Sequence, residues 1–258
     1  MHVVLTALVN RVGLDRLPLV QVLPGGTMNT SSGSYGVRGR MLGLFGRRPE
    51  AWLAALLAYS RPADVPRVAR SLLRVDAPGQ NTPPQYGFLF GNGLISNFLE
   101  VYYEGSEPTP AKALWILGRG ILSSFIQGPA IRRLMLPVTV RVRAPEEWPP
   151  TRYLAVGAGT VDDIGFGFRA FFPCLTNPGR MHVLGVACSA FTFVLELPRI
   201  FLARAPKTPE ILQHTLAAFS LHGETDLVYM IDGDFHRAGP ELRVSATAPI
   251  ALGTPVMR

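Results

Sequence analysis

The stretch TDLVYMIDGDFHRAG runs an apolar strand directly into Asp232-Gly233-Asp234. Two carboxylates flanking a glycine at a strand end could accept a proton or neutralise charge beside a reacting group. The same Asp-Gly pair is what a plain two-residue hairpin turn prefers, so the pattern alone leaves both readings open. A second acidic pair, Asp162-Asp163, precedes the glycine-containing IGFGF, where a turn is a simpler explanation than metal ligation. Glu100, Glu104, Glu107, Glu146 and Glu147 lie in polar or Pro-rich surroundings and read as solvated. The other candidate is LPLVQVLPGGTMNTSSGSYG, where a short apolar run ends at Pro24-Gly25-Gly26 and a polar loop follows to Gly36. The backbone N–H groups of such a loop could face a phosphate. Ser31 to Ser34 lack the strand-elbow-helix setting of a hydrolase nucleophile. The chain holds no GxxxxGK[ST] loop and no GxGxxG after a strand. Cys174 and Cys188 lack metal-ligand spacing and read as small buried hydrophobes of a reducing cytoplasm. No two of the five histidines are spaced four apart on a helix.

The elements that must position these residues follow from periodicity. Val4, Leu5, Leu8 and Val12 predict a helix over 1–12. Leu19 to Leu23 predicts a short buried strand, and Glu50 to Tyr59 a helix. Asp64 could cap a further helix with Val68, Leu72 and Leu73 on one face. After the linker DAPGQNTPP, strand-like runs dominate: 86–90, 137–143, 153–157, 180–186, 228–231, 242–245 and 248–252. Helices are expected over 112–133 and 191–203, and Thr208-Pro209-Glu210 carries helix-start chemistry. The fold class is therefore α/β plus β. A partial α/β domain over 1–80, to which 246–258 returns, precedes a β-sandwich-like domain with a few helices over 81–245.

Composition narrows the partners. The 258 residues carry 48% apolar and 17% charged side chains, which excludes intrinsic disorder. Gly 26 and Pro 23 disfavour a pure helical bundle. The net charge is +7, and all the basic residues but Lys112 and Lys207 are arginine. The arginines are scattered rather than clustered in runs, so nucleic acid is not an expected partner. No apolar run reaches the ~20 residues of a membrane span, and no signal peptide is recognisable. Mean hydropathy is nevertheless +0.22. That suits a cytoplasmic protein with a large core or with peripheral contact to a membrane surface.

Taken in order, four segments resemble the diacylglycerol kinase and sphingosine kinase-like family of lipid kinases. VQVLPGGTMNT resembles the family's P-x-G-[TS]-x-N loop, with Pro24, Gly26, Thr27 and Asn29 on matching positions. YGFLFGNGL resembles the first strand of its second domain. GFGFRAFFPCLTNPGRMHVLGV resembles its Gly-rich strand, Pro and loop. LVYMIDGDFHRAGPELRVSATAPIALGTP resembles the closing section, where a strand delivers D-G-E or similar. The resemblance implies ATP-dependent phosphoryl transfer to a lipid alcohol, of the diacylglycerol or sphingoid type. It implies that Asp232 is the base, with Asp234 as second carboxylate, and that Gly25, Gly26, Thr27 and Asn29 contact the nucleotide. ATP and Mg2+ come with it, although Pro178 stands before Gly179 where the family carries an Asp of a Mg2+ network. The family's G-G-D-G-T loop, expected just ahead of the first helix, is absent from this sequence. A non-catalytic lipid-binding descendant is the alternative that follows. Phosphorylation of a soluble nucleotide, as in the distantly similar NAD kinases, is a third reading.

Overall fold

The computed structural model describes residues 1–24, 30–34, 36–37, 48–104, 109–126, 135–146, 148–149, 151–165 and 167–255. The fold begins with helix α1 (His2–Val12), which buries Leu5 and Val9 on one face. Short α2 (Thr30–Gly33) and α3 (Pro49–Leu57) follow, the latter starting with Pro in its first turn and burying Trp52. Strands β1 (Arg67–Arg70), β2 (Leu73–Asp76), β3 (Gln85–Gly87) and β4 (Leu89–Gly93) lead to α4 (Leu94–Tyr103) and α5 (Pro110–Ile126). Next come β5 (Val138–Arg143), β6 (Arg152–Tyr153), β7 (Ala155–Gly159), β8 (Met181–Val186) and α6 (Ala190–Phe201). The chain closes with β9 (Ile211–Leu216), β10 (Ala218–Gly223), β11 (Leu227–Ile231), β12 (Asp234–Ala238), β13 (Glu241–Ala246) and β14 (Ile250–Gly253).

Two six-stranded antiparallel sheets, ordered β3-β2-β13-β10-β5-β6 and β12-β11-β4-β7-β8-β9, face one another. Leu73, Val140, Leu221 and Leu242 from the first sheet meet Phe90, Val156, Met181 and Ile231 from the second in one core. The second sheet is covered on its other side as well. Leu89, Ala155 and Leu184 pack there with Leu5 and Val9 of α1 and Ile200 of α6. Strands β4, β7 and β8 are consequently buried at every position, and they read as continuous apolar or small-residue runs rather than alternating ones. A third cluster joins α4 and α5 to Met230 of β11. The expected class, an α/β part with a β-sandwich, is the one observed.

Three local expectations fail. Residues 19–23 form no strand; Val20 makes a single parallel bridge to Leu252, with Pro18 and Pro24 limiting the donors on either side. Residues 67–76 are two strands, not a capped helix: Leu73 and Val75 alternate with exposed Arg74, and β1 pairs with β14. Thr208-Pro209-Glu210 leads into β9 rather than a helix, because Thr208 is engaged elsewhere: its N–H and hydroxyl both donate to Glu196 Oε1 of α6.

Candidate functional site

The turn between β11 and β12 is two residues long. Ile231 pairs with Asp234, so Asp232 and Gly233 form the whole loop, with φ of 50° and 98°. Two central residues with positive φ are the mark of the hairpin turn whose twist matches the strands, and Asp is one of the few side chains that tolerate it. The plain-turn reading is therefore correct, and it does not exclude the chemical one. The Asp232 side chain folds inward across the junction of β3 and β4. Its Oδ1 accepts the N–H groups of Phe88 and Leu89, both at 2.9 Å, and its own N–H donates to the Leu89 carbonyl at 3.1 Å. Its Oδ2 is buried without a hydrogen-bond partner. Gly87 makes this approach feasible, since a Cβ there would lie 2.9 Å from Asp232 Oδ2 and collide with Ile231. Burial pushes the Asp232 carboxyl above its ordinary value, against the pull of the two N–H donors.

Asp234 points elsewhere. Its half-exposed carboxylate has Oδ2 2.8 Å from Nδ1 of buried His2, an ion-pair distance without hydrogen-bond alignment. The His2 ring stands edge-on to His236 at 4.8 Å. His236 Nδ1 lies 3.2 Å from Gln85 Nε2, and the Tyr229 hydroxyl donates to Gln85 Oε1 at 3.3 Å. An amide N–H can only donate, so His236 accepts at Nδ1 and its proton belongs on Nε2, which is buried without a partner. Burial and His2 hold the His236 imidazole below its usual value. Tyr103 at the end of α4 brings its hydroxyl within 3.5 Å of the Gly233 carbonyl. Composition gave no hint of this polar group around Asp232. The two-residue turn could have revealed part of it, because it fixes Tyr229 opposite His236.

The remaining candidates divide. Gly25, Gly26, Thr27 and Asn29 lie outside the described residues. Ser31 and Ser32, just downstream, are buried. Asp162 is buried and ion-paired to Arg169, while Asp163 Oδ1 accepts the Gly165 N–H at 2.6 Å. The Asp163 N–H donates to Ser34 Oγ at 3.3 Å, so this acidic turn braces the segment that follows the glycine loop. Among the described residues no three His, Cys, Asp or Glu side chains converge as a metal site. Cys174 and Cys188 are buried free thiols, which burial raises to about 12 and about 11, and they are unreactive for that reason.

No protein-family model matches this sequence, and no curated protein does. Solved structures do. A diacylglycerol kinase from Bacillus anthracis str. Sterne superposes over 96% of this chain and 72% of its own, with a TM-score of 0.55 at 12% identity. A diacylglycerol kinase-like protein from the same strain covers 95% of this chain and 73% of its own, with a TM-score of 0.59 at 14% identity. The fold is that of diacylglycerol kinase-like proteins. At such low identity the likeness extends to the backbone course, and the chemistry must be argued from the residues.

Proposed function

We propose that this chain is a lipid kinase, transferring the γ-phosphoryl group of ATP to the hydroxyl of a diacylglycerol- or sphingoid-type lipid. The observation that carries the reading is the Asp232 carboxylate, with one oxygen fixed by two backbone N–H groups and the other left without a partner. Phosphoryl transfer asks a protein chiefly for positioning and charge neutralisation. The lipid oxygen attacks the γ-phosphorus, the bond from that phosphorus to the ADP oxygen breaks, and the hydroxyl proton passes to Asp232 Oδ2. A carboxyl raised by burial is a better acceptor than a solvated one. His2 lies beside the pair of carboxylates, its Nδ1 2.8 Å from Asp234 Oδ2. Gly25, Gly26, Thr27 and Asn29 would hold the nucleotide, as the sequence resemblance implies. The described residues offer Mg2+ no protein cage, and none of these steps is assigned to it.

The test is phosphate incorporation from labelled ATP into diacylglycerol and, separately, into sphingosine in mixed micelles. Asp232→Asn is the informative variant, because Asn also tolerates the left-handed turn. Loss of a positioned base lowers the rate by about a hundredfold to ten-thousandfold. Equal rates in the wild type and the variant would refute the role of Asp232. A wild type that binds lipid micelles but neither binds Mg-ATP in calorimetry nor incorporates phosphate would establish the non-catalytic lipid-binding reading instead.

A further inference from the structure

Two helices present apolar side chains to solvent in a regular stripe. On α5, the outward positions Ala111, Trp115, Gly118 and Leu122 recur at i, i+4, i+7 and i+11. On α6 and the residue after it, Phe191, Leu195, Pro198 and Leu202 recur at the same interval. Trp115 is 60% exposed and Leu122 72%, while Leu195 and Leu202 are 56% and 58% exposed. A surface helix ordinarily turns charged residues outward; here the inward face is apolar as well, through Val194 and Ile200 of α6 and Ala113 and Ile116 of α5. The two helices pack against one another, so the stripes lie on adjoining elements. Exposed apolar surface of this continuity marks an interaction site.

The charges around it select the occupant. Helix α5 contains no Asp or Glu, and the acid of α6, Glu196, is buried under hydrogen bonds from Lys207 and Thr208. Neither helix therefore shows a carboxylate to solvent. Basic groups are present instead: Arg119 lies over the Trp115 ring at 5.0 Å, and exposed Arg204 and Lys207 follow α6. An apolar stripe with an exposed Trp, arginine beside it and no exposed acid on either helix, the nearest downstream of α6 being Glu210, is complementary to the interface of a bilayer carrying anionic phospholipid. We propose that the α5–α6 surface docks this protein on such a bilayer, with Trp115, Leu122 and Leu195 entering the headgroup–acyl boundary. Docking stands apart from phosphoryl transfer, because a bilayer would be bound whether or not a phosphate moves. The surface also lies next to the candidate site. Helix α5 packs on α4, and α4 carries Tyr103 to the Gly233 turn.

The experiment is co-sedimentation of the full chain, without nucleotide, with vesicles of phosphatidylglycerol and phosphatidylcholine and with vesicles of phosphatidylcholine alone. Trp52 and Trp148 are buried, so a blue shift of tryptophan emission on binding reports Trp115. The expected result is binding to the anionic vesicles with a blue shift. Leu122→Asp and Leu195→Asp each weaken binding at least about tenfold, the loss expected for one apolar side chain kept out of the interface. Arg119→Gln and Arg204→Gln each weaken binding about fivefold and reduce its dependence on salt. All four positions are exposed or intermediate, so unchanged thermal unfolding of the free variants confirms that folding is intact. Failure to sediment with anionic vesicles, or binding undiminished in the Leu122→Asp/Leu195→Asp double variant, overturns the proposal. A dimer in sedimentation equilibrium that the double variant dissociates would assign the surface to a second copy of this chain and overturn it too.

Discussion

Replacing Asp232 with Asn keeps an oxygen for the Phe88 and Leu89 N–H groups and removes the charge, whereas replacing it with Ala removes both. The two variants separate what the turn gains from hydrogen bonding and what it loses by burying a carboxylate. Burial raises the Asp232 carboxyl in the folded chain above its unfolded value. The stability contributed by such a group is fully present below the unfolded value, near ~3.9, and is lost as pH rises through the folded value. Inside that window the loss runs at about 1.4 kcal/mol per pH unit. Asn does not titrate. The stability of Asp232→Asn relative to the wild type should therefore rise with pH across the window and level off above it. Asp232→Ala leaves two N–H groups without their acceptor, at about 1–3 kcal/mol each, and adds about 1–2 kcal/mol for a left-handed conformation that Ala does not favour. The Ala variant should lie about 3–8 kcal/mol below the Asn variant at every pH. Urea unfolding followed by circular dichroism between pH 4 and 8 measures both differences. A wild-type-to-Asn difference that is flat in pH would refute the desolvated carboxylate, and an Ala variant as stable as Asn would refute its hold on β4.

Two further outcomes follow from buried groups away from the turn. Glu196 is desolvated, but hydrogen bonds from Thr208 and Lys207 and the nearby Arg199 outweigh that and hold its carboxyl below its ordinary value. Glu196→Ala should destabilise by about 3 kcal/mol in urea unfolding at pH 7, and by less as acid protonates the wild-type group through its lowered folded value. His182, packed against Phe171 and Phe172, is lowered by burial to about 4. It favours folding above its unfolded value near ~6.5, and that contribution falls at about 1.4 kcal/mol per unit between there and its folded value. His182→Gln should flatten this acid limb in the same titration, and a limb of unchanged slope would exclude His182 as its source.

The strands were most legible where burial is one-sided or complete. The run 181–186 is apolar at nearly every position because β8 is covered on both faces, and 138–143 alternates because β5 is covered on one. Legibility failed where a partner distant in sequence decides the local structure. Val68, Leu72 and Leu73 also fit a helical interval, and only pairing of β1 with β14 makes that segment extended. Thr208 has the chemistry of a helix cap and spends it on Glu196. The site shows the same division. The Asp232-Gly233 turn was readable because Asp-Gly after an apolar strand favours a two-residue hairpin. Its surroundings were not, because His2, Gln85 and His236 converge from three separate elements.

The closure of β1 on β14 has a consequence for biosynthesis. Strand Arg67–Arg70 pairs with Ile250–Gly253, and Val20 bridges to Leu252. Helix α1 brings His2 to a hairpin more than two hundred residues further along the chain. Leu5 and Val9 must wait on the ribosome for the sheet that covers them. A topology with so many pairings distant in sequence folds more slowly than one built from local contacts. Premature termination ahead of β14 would yield a fragment whose opening segment has lost its complement, and proteolysis rather than partial function should be its fate.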